Sequence, residues 1–289
     1  MNMSSFRLGQ KVEGAPAVDA TGAKAMARAL RVWALLGLAG ATSFVVAMSV
    51  GSSDIPALEV VRLLLGPEAS AASQVVHELR LPRALAAFAA GGLLAFAGAL
   101  MQVLLRNPLA DPYVLGLSSG SAVGALGAML VGLGTFFVNL GAFIGALLTV
   151  ALVFAFAHRD LVHRHSLGAM DGSPRLLLTG VILASGWSAI ITLILIVAPE
   201  AKLRGMLFWL MGDLSGAASY GVALAALPVA VALLMPLSRD LNVLLRGQDL
   251  AHALGVRVVM VRRMILVIAS LATAIAVTTA GAIGFIGLV

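Results

Sequence analysis

Residues Arg80–Pro112 read RLPRALAAFAAGGLLAFAGALMQVLLRNPLADP. Two arginines bracket a proline at one end, and no charge follows until Arg106. The stretch then leaves through Gln102, Arg106 and the turn-forming pair Asn107-Pro108. An uninterrupted apolar segment of this length is enough to cross a hydrocarbon core of about 30 Å as a helix. Both ends are polar, and each offers side chains that another protein can meet.

Composition extends this reading to the whole chain. Of 289 residues, 61% are hydrophobic and only 11% are charged, and the mean hydropathy is +1.04. Soluble domains carry about 25% charge, so this chain is all-α and polytopic, a bundle of membrane-spanning helices. Cysteine is absent, which removes disulfides, thiolate metal sites and cysteine nucleophiles from consideration. The net charge of +6 suits nucleic acid, but in a membrane protein basic residues first report topology, and no nucleic-acid partner is expected.

Residues 1–31 are read as a polar cytoplasmic tail without apolar periodicity, and 32–289 as the transmembrane domain. Trp33–Val50 resembles a signal-peptide core, but its leader is long and no small-residue cleavage site follows. It is read as a retained first helix. Residues 51–79 form a connecting loop with room for a short helix between Pro56 and Gly66. Six more runs follow: Pro82–Leu105, Val114–Val131, Phe136–Ala157, Leu176–Ala198, Tyr220–Leu237 and Met264–Val289. Seven spans are therefore visible. With the N-terminus inside, inner segments hold 14 Lys/Arg and outer ones 5, namely Arg62, Arg80, Arg83, Lys202 and Arg204. That bias sets the orientation. The last run ends in GAIGFIGLV with no polar flank, so the expectation is a fragment of a longer chain, or an end capped by something else.

Small residues recur every four positions at Gly116, Gly120 and Gly124, at Gly91, Ala95 and Ala99, and at Gly141 and Gly145. Such stripes let helix backbones approach closely, within one bundle, at a dimer face or along a pore. No run carries an ionisable residue in its interior, whereas ion-coupled carriers keep such groups at mid-membrane. His158, His163 and His165 cluster beyond the fourth run. A solvated loop accounts for them better than a metal site, and no metal is expected. The free energy for transport must then come from outside the chain. The contact offered for it is RDLNVLLRGQDLAHALGVRVVMVRR at 239–263. Leu241, Leu244 and Leu245 make one apolar ridge; Leu250, Ala253 and Leu254 make another, with Gly255 placed to end the helix in a left-handed conformation. These short amphipathic helices suit the membrane surface or a partner's groove.

At this point the residues resemble a family, the permease subunits of bacterial ABC importers for iron chelates, haem and vitamin B12 (FecCD-type). The matching pieces are RLPR at 80–83, GALMQVLLRNPLADPYVLGLSSGSAVG at 98–124 and RLLLTGVIL at 175–183, followed by FWLMGDLSG at 208–216, RGQDLAHALGV at 246–256 and AGAIGFIGLV at 280–289. The resemblance implies ten helices in the complete subunit, the last three lying beyond this sequence. It implies a homodimer with the pathway at its interface, lipid around it, two ATP-binding cassette ATPase subunits on the cytoplasmic side and a periplasmic binding protein on the other. Its setting would be the bacterial inner membrane. Arg80 and Arg83 match arginines that dock the binding protein, and guanidinium suits carboxylate recognition. Asn107, Leu109 and Ser173 match the cytoplasmic gate, with Pro174 standing where the vitamin B12 permease has a hydroxyl residue. Arg246, Gly247, Asp249, Leu250, Ala253, Leu254 and Gly255 match the coupling helices. The chain itself would be no enzyme, and no P-loop occurs in it. ATP and Mg²⁺ would belong to the ATPase. The cargo is expected to be an iron complex, siderophore or haem, ahead of cobalamin. A secondary transporter or passive facilitator without an ATPase is the alternative.

Overall fold

The structure, a computed structural model, describes residues 18–51, 55–66, 70–162, 174–214 and 220–283, and these are helical apart from short turns. They fall into two compact units, one ending at Ser73 and the other beginning at Gln74.

In the first unit, α1 (Val18–Ser49) is followed by the short α2 (Ala57–Leu65). Helix α1 begins well inside the stretch expected to be a tail. Residues 18–31 are rich in alanine, the strongest helix former, so this polar segment extends the apolar helix rather than preceding it. Helix α2 is the short amphipathic helix anticipated in the loop, with Val60 and Leu63 buried.

From Ala71 the chain is helical to Leu105: α3 (Ala71–Gln74), a π-helical turn (Val75–Arg80) and α4 (Leu81–Leu105). The sequence reading started this span at Pro82. It starts earlier because the π turn accommodates the proline. The Leu81 N–H reaches back five residues to the Val76 carbonyl, and this wider turn makes room for a ring that would collide with a carbonyl in a regular helix.

Helix α5 (Leu117–Val131) is shorter than its apolar run, because Pro112–Leu115 forms a separate 3-10 turn closed by left-handed Gly116. Helices α6 (Thr135–Val162) and α7 (Pro174–Val197) follow. Between α7 and the next span lies α8 (Glu200–Met211), where the charges of Glu200, Lys202 and Arg204 predict an outer loop. Pro199 precedes it and Glu200 sits in its first turn, both favourable at a helix start. Next come α9 (Tyr220–Leu234), a 3-10 turn (Met235–Leu237), α10 (Ser238–Leu245), α11 (Gln248–Ala253) and α12 (Val258–Ala280). Helix α12 starts before the expected Met264 and encloses Arg262 and Arg263. It ends at Ala280, where Gly281 adopts φ 74° and the Ala280 carbonyl accepts the Asp213 N–H. Among the described residues, six helical stretches are long and apolar enough to cross a membrane, and α5 is a shorter apolar helix.

The core of the second unit is α4 packed on α12 and α9, with α6 completing it and α5 wedged between α6 and α7. Leu93, Leu94 and Met101 of α4 meet Ile265, Leu266 and Ala269 of α12 in one buried cluster. The α5–α6 seam is made of glycine. A Cβ on Gly124 would collide with the Gly141 carbonyl, and one on Gly145 with that of Gly120. Close packing within the bundle therefore accounts for these two stripes. The Gly91, Ala95 and Ala99 stripe behaves differently: Ala95 and Ala99 are exposed, and Gly91 faces open space.

Candidate functional site

At one end of the second unit, Arg80 and Arg83 lie one helical turn apart. Arg80 is half-buried in the π turn, and Arg83 is exposed. They are not at the helix start, as the sequence reading had it; helix precedes them from Ala71.

The other end is built around the turn after α4. Arg106 closes the helix with φ 49° and ψ 39°, the one positive φ at a non-glycine position among the described residues. Such a conformation normally belongs to glycine or asparagine. The next residue turns the chain by its own side chain: Asn107 Oδ1 accepts the Leu109 N–H at 2.9 Å, and its carbonyl accepts the Ala110 N–H at 3.0 Å. This Asx turn leaves Asn107 half-buried and Leu109 73% exposed. Asp111, which sequence reading passed over, is buried, and its Oδ1 accepts the Tyr113 N–H at 2.7 Å to start the 3-10 turn. Burial pushes its carboxyl above the ordinary carboxylate range, and the Tyr113 N–H bond opposes this. Burial also raises the Tyr113 phenol, Asp111 adds to the rise, and the Ile283 backbone counteracts it. The Asp-Pro pair was the signal available, since aspartate before proline commonly opens a turn.

Beside this turn lies the segment 238–257. Leu241 and Leu244 of α10 are buried, while Leu245, expected on the same ridge, is 56% exposed. Gly247, at φ 130°, breaks α10 from α11. Arg246 and Asp249 are exposed. Helix α11 buries only Ala251 and turns Leu250, Ala253 and Leu254 outward, Leu254 being 62% exposed. Its end is the expected one: Gly255 takes φ 77°, with the Val256 N–H bonded to the Ala251 carbonyl at 2.9 Å. An outward apolar ridge on a six-residue helix is a surface for something else to cover.

The turn and this segment are joined. The Arg106 guanidinium donates through Nη2 to the Leu244 carbonyl at 3.1 Å, across 138 residues of sequence. Arg106 thus caps the Leu244 carbonyl near the end of α10. Arg262, expected in a loop, is buried in the second turn of α12. Ser173, the third matched gate residue, lies outside the described residues, as do His163 and His165. Pro174 opens α7.

At the opposite end, a cavity of about 680 Å³ opens among the α5–α6 turn, α8 and the end of α12, with Asn139, Lys202, Phe208, Trp209, Asp213 and Thr279 in its wall. Lys202 Nζ donates to the Leu130 carbonyl at 2.8 Å and so caps α5 beside left-handed Gly132.

The FecCD transport family model matches residues 38–289. The chain belongs to the FecCD transport family. A cobalamin import permease of Halobacterium salinarum is 41% identical over 75% of this chain and 58% of its own length. An uncharacterized ABC transporter permease of Bacillus subtilis is 37% identical over 86% of this chain and 72% of that one. A vitamin B12 import permease of Klebsiella pneumoniae is 36% identical, covering 74% of this chain and 63% of its own. The chain thus spans about three-fifths of the two B12 permeases it matches. Among solved structures, a transporter described as of the metal-chelate ABC type, in an inward-facing conformation, superposes with a TM-score of 0.74. It is 28% identical, covering 90% of this chain and 79% of its own. The turn after α4 and the α10–α11 segment of this FecCD chain both fall inside the matched range.

Proposed function

We propose that this chain is the membrane-spanning subunit of an ATP-driven importer, sitting in a bacterial inner membrane with its N-terminus in the cytoplasm. The observation that carries the reading is the outward apolar ridge Leu250–Leu254 of α11, in a segment bonded to the turn after α4, within a FecCD family chain. Two copies of the subunit surround the pathway, and two ATP-binding cassette subunits cover α10 and α11 on the cytoplasmic side. Arg246 and Asp249 frame that contact, and Gly247 and Gly255 give the short helix its angle. A binding protein delivers cargo at the far end, where Arg80 and Arg83 meet its carboxylates. Asn107 and Leu109 narrow the cytoplasmic exit together with Ser173. The exposed Ala95 and Ala99 stripe of α4 and the largely exposed apolar face of α7 are surfaces that lipid and the second copy can cover. ATP and Mg²⁺ act in the partner subunit, and this chain makes and breaks no covalent bond. Each hydrolysis cycle tilts the α10–α11 segment and opens the pathway at one end while the other closes, a rigid-body change between two states.

The cargo is a large metal chelate. The names of the relatives move cobalamin ahead of the iron complexes that sequence reading put first. The test is uptake by cells expressing the full-length protein with its ATPase and binding protein, given labelled cyanocobalamin, ferric siderophore or haemin in separate arms. Uptake of one arm that stops with an ATPase-inactive partner is the expected result. Uptake that continues without hydrolysis would favour a facilitator and overturn the reading.

A further inference from the structure

Family membership gives no role to Arg106, yet its geometry is unusual. It holds a left-handed backbone (φ 49°) that costs a side-chain-bearing residue energy. That conformation places its guanidinium on the Leu244 carbonyl at 3.1 Å. Leu244 is itself a fixed point. Its side chain is 1% exposed, and its carbonyl also accepts the Gly247 N–H at 3.2 Å, where α10 gives way to α11. On the other side, the Arg106 N–H and the Asn107 N–H both bond to the Gln102 carbonyl, the latter at 3.2 Å, so the turn is anchored to α4. A continuous bonded path therefore runs from the root of α11 through Leu244 and Arg106 to the Asn107–Leu109 turn.

We propose that Arg106 is a strut: a positioning residue that makes the α10–α11 segment and the turn after α4 move as one piece. This deepens the importer reading and rests on it, because the motion to be transmitted is the one an ATPase imposes on α11. A guanidinium suits the task better than an ammonium, since its planar fork fixes direction as well as distance. A cap alone would not need the left-handed arginine. Glycine would hold the same backbone more cheaply and leave the Leu244 carbonyl to the Gly247 N–H.

Glycine is therefore the discriminating substitution. Arg106→Gly keeps the left-handed turn and removes the strut, whereas Arg106→Ala removes both the strut and a tolerable backbone. Arg106→Lys retains a donor. The full-length permease would be reconstituted with its ATPase, and cargo moved per ATP hydrolysed would be measured. These 289 residues hold no cysteine, so once any cysteine elsewhere in the full-length permease is replaced, spin labels can be placed at Pro108→Cys and Asn242→Cys, and their separation read in nucleotide-free and ATP-bound states. The strut predicts one narrow separation in both states. In Arg106→Gly that distribution broadens and transport per ATP falls about tenfold. Thermal stability stays level or rises, the ATPase still co-purifies, and Arg106→Lys recovers part of the loss. A label separation that changes with nucleotide in the native protein overturns the strut while leaving the importer reading intact. Unchanged transport per ATP in Arg106→Gly overturns it too. If no ATPase binds the native protein, the importer reading fails instead, and an unbroadened distribution in Arg106→Gly would still count against the strut.

Discussion

The two ends of the second unit meet the same physical demand in different ways. Helices that stop near a membrane boundary leave carbonyls without partners, and at each end a cation supplies one. At the cytoplasmic end of the proposed importer, Arg106 reaches across the fold to α10 from a strained backbone. At the other, Lys202 reaches from α8 to the Leu130 carbonyl of α5 beside a 680 Å³ cavity. The first cation joins two segments whose transport roles are proposed above; the second closes one helix. The lesson is that a cap and a strut share their chemistry and differ in what lies behind each partner.

The comparison depends on a stiff connection between the ends, and the glycine seam of α5 and α6 provides part of it. Gly124→Val should cause the largest effect considered, because its Cβ would strike the Gly141 carbonyl. A loss of about 3 kcal/mol or more is expected, visible as a collapse in detergent thermal stability. Gly127→Ala, with nothing within 4 Å of the added carbon, should be near neutral. Equal behaviour of the two would break the picture of a tight seam.

Next in size is a separation of the ends. Arg80→Glu with Arg83→Glu should weaken association with the binding protein about a hundredfold in a pull-down titration, as charge reversal at a docking face does. The ATPase should remain bound. Loss of both partners together would mean that the arginines serve folding, not docking.

Smaller effects sharpen the contrast between the cations. Lys202→Met should cost about 1 kcal/mol in thermal unfolding while leaving transport per ATP unchanged, unlike Arg106→Gly. Smallest is Asp111→Asn, whose Oδ1 can still accept the Tyr113 N–H. Because burial raises the native carboxyl, the folded chain keeps a proton that the unfolded chain has released. Stability therefore falls as pH climbs from the ordinary carboxylate range through the raised value. The variant should flatten that slope in an unfolding series across acid pH, and an unchanged slope would remove Asp111 as its source.

Much of this was legible in the sequence. Hydrophobic run length gave the spans, four-residue glycine spacing gave the α5–α6 seam, and Gly255 gave the end of α11. Misreadings came where local rules were overridden. Pro82 looked like a helix start because the π turn that makes room for it leaves no compositional trace. Helix α8 was hidden by its charges, and the early start of α12 by Arg262 and Arg263. At the candidate site, the turn at Asn107 and the apolar residues of α11 could be read from residue types. The bond from Arg106 to Leu244 could not, because no local pattern connects residues 138 positions apart. The burial of Asp111 likewise follows from the packed fold around it.

In the proposed importer the outward ridge of α11 is covered by an ATP-hydrolysing subunit. Co-purification of that subunit with the full-length protein, native against Leu250→Asp with Leu254→Asp, tests it most directly. A stable ATP-hydrolysing complex with the native protein, lost in the double variant whose own folding is intact, is the predicted result. No ATPase on the native protein, or an equal amount on both, would contradict it.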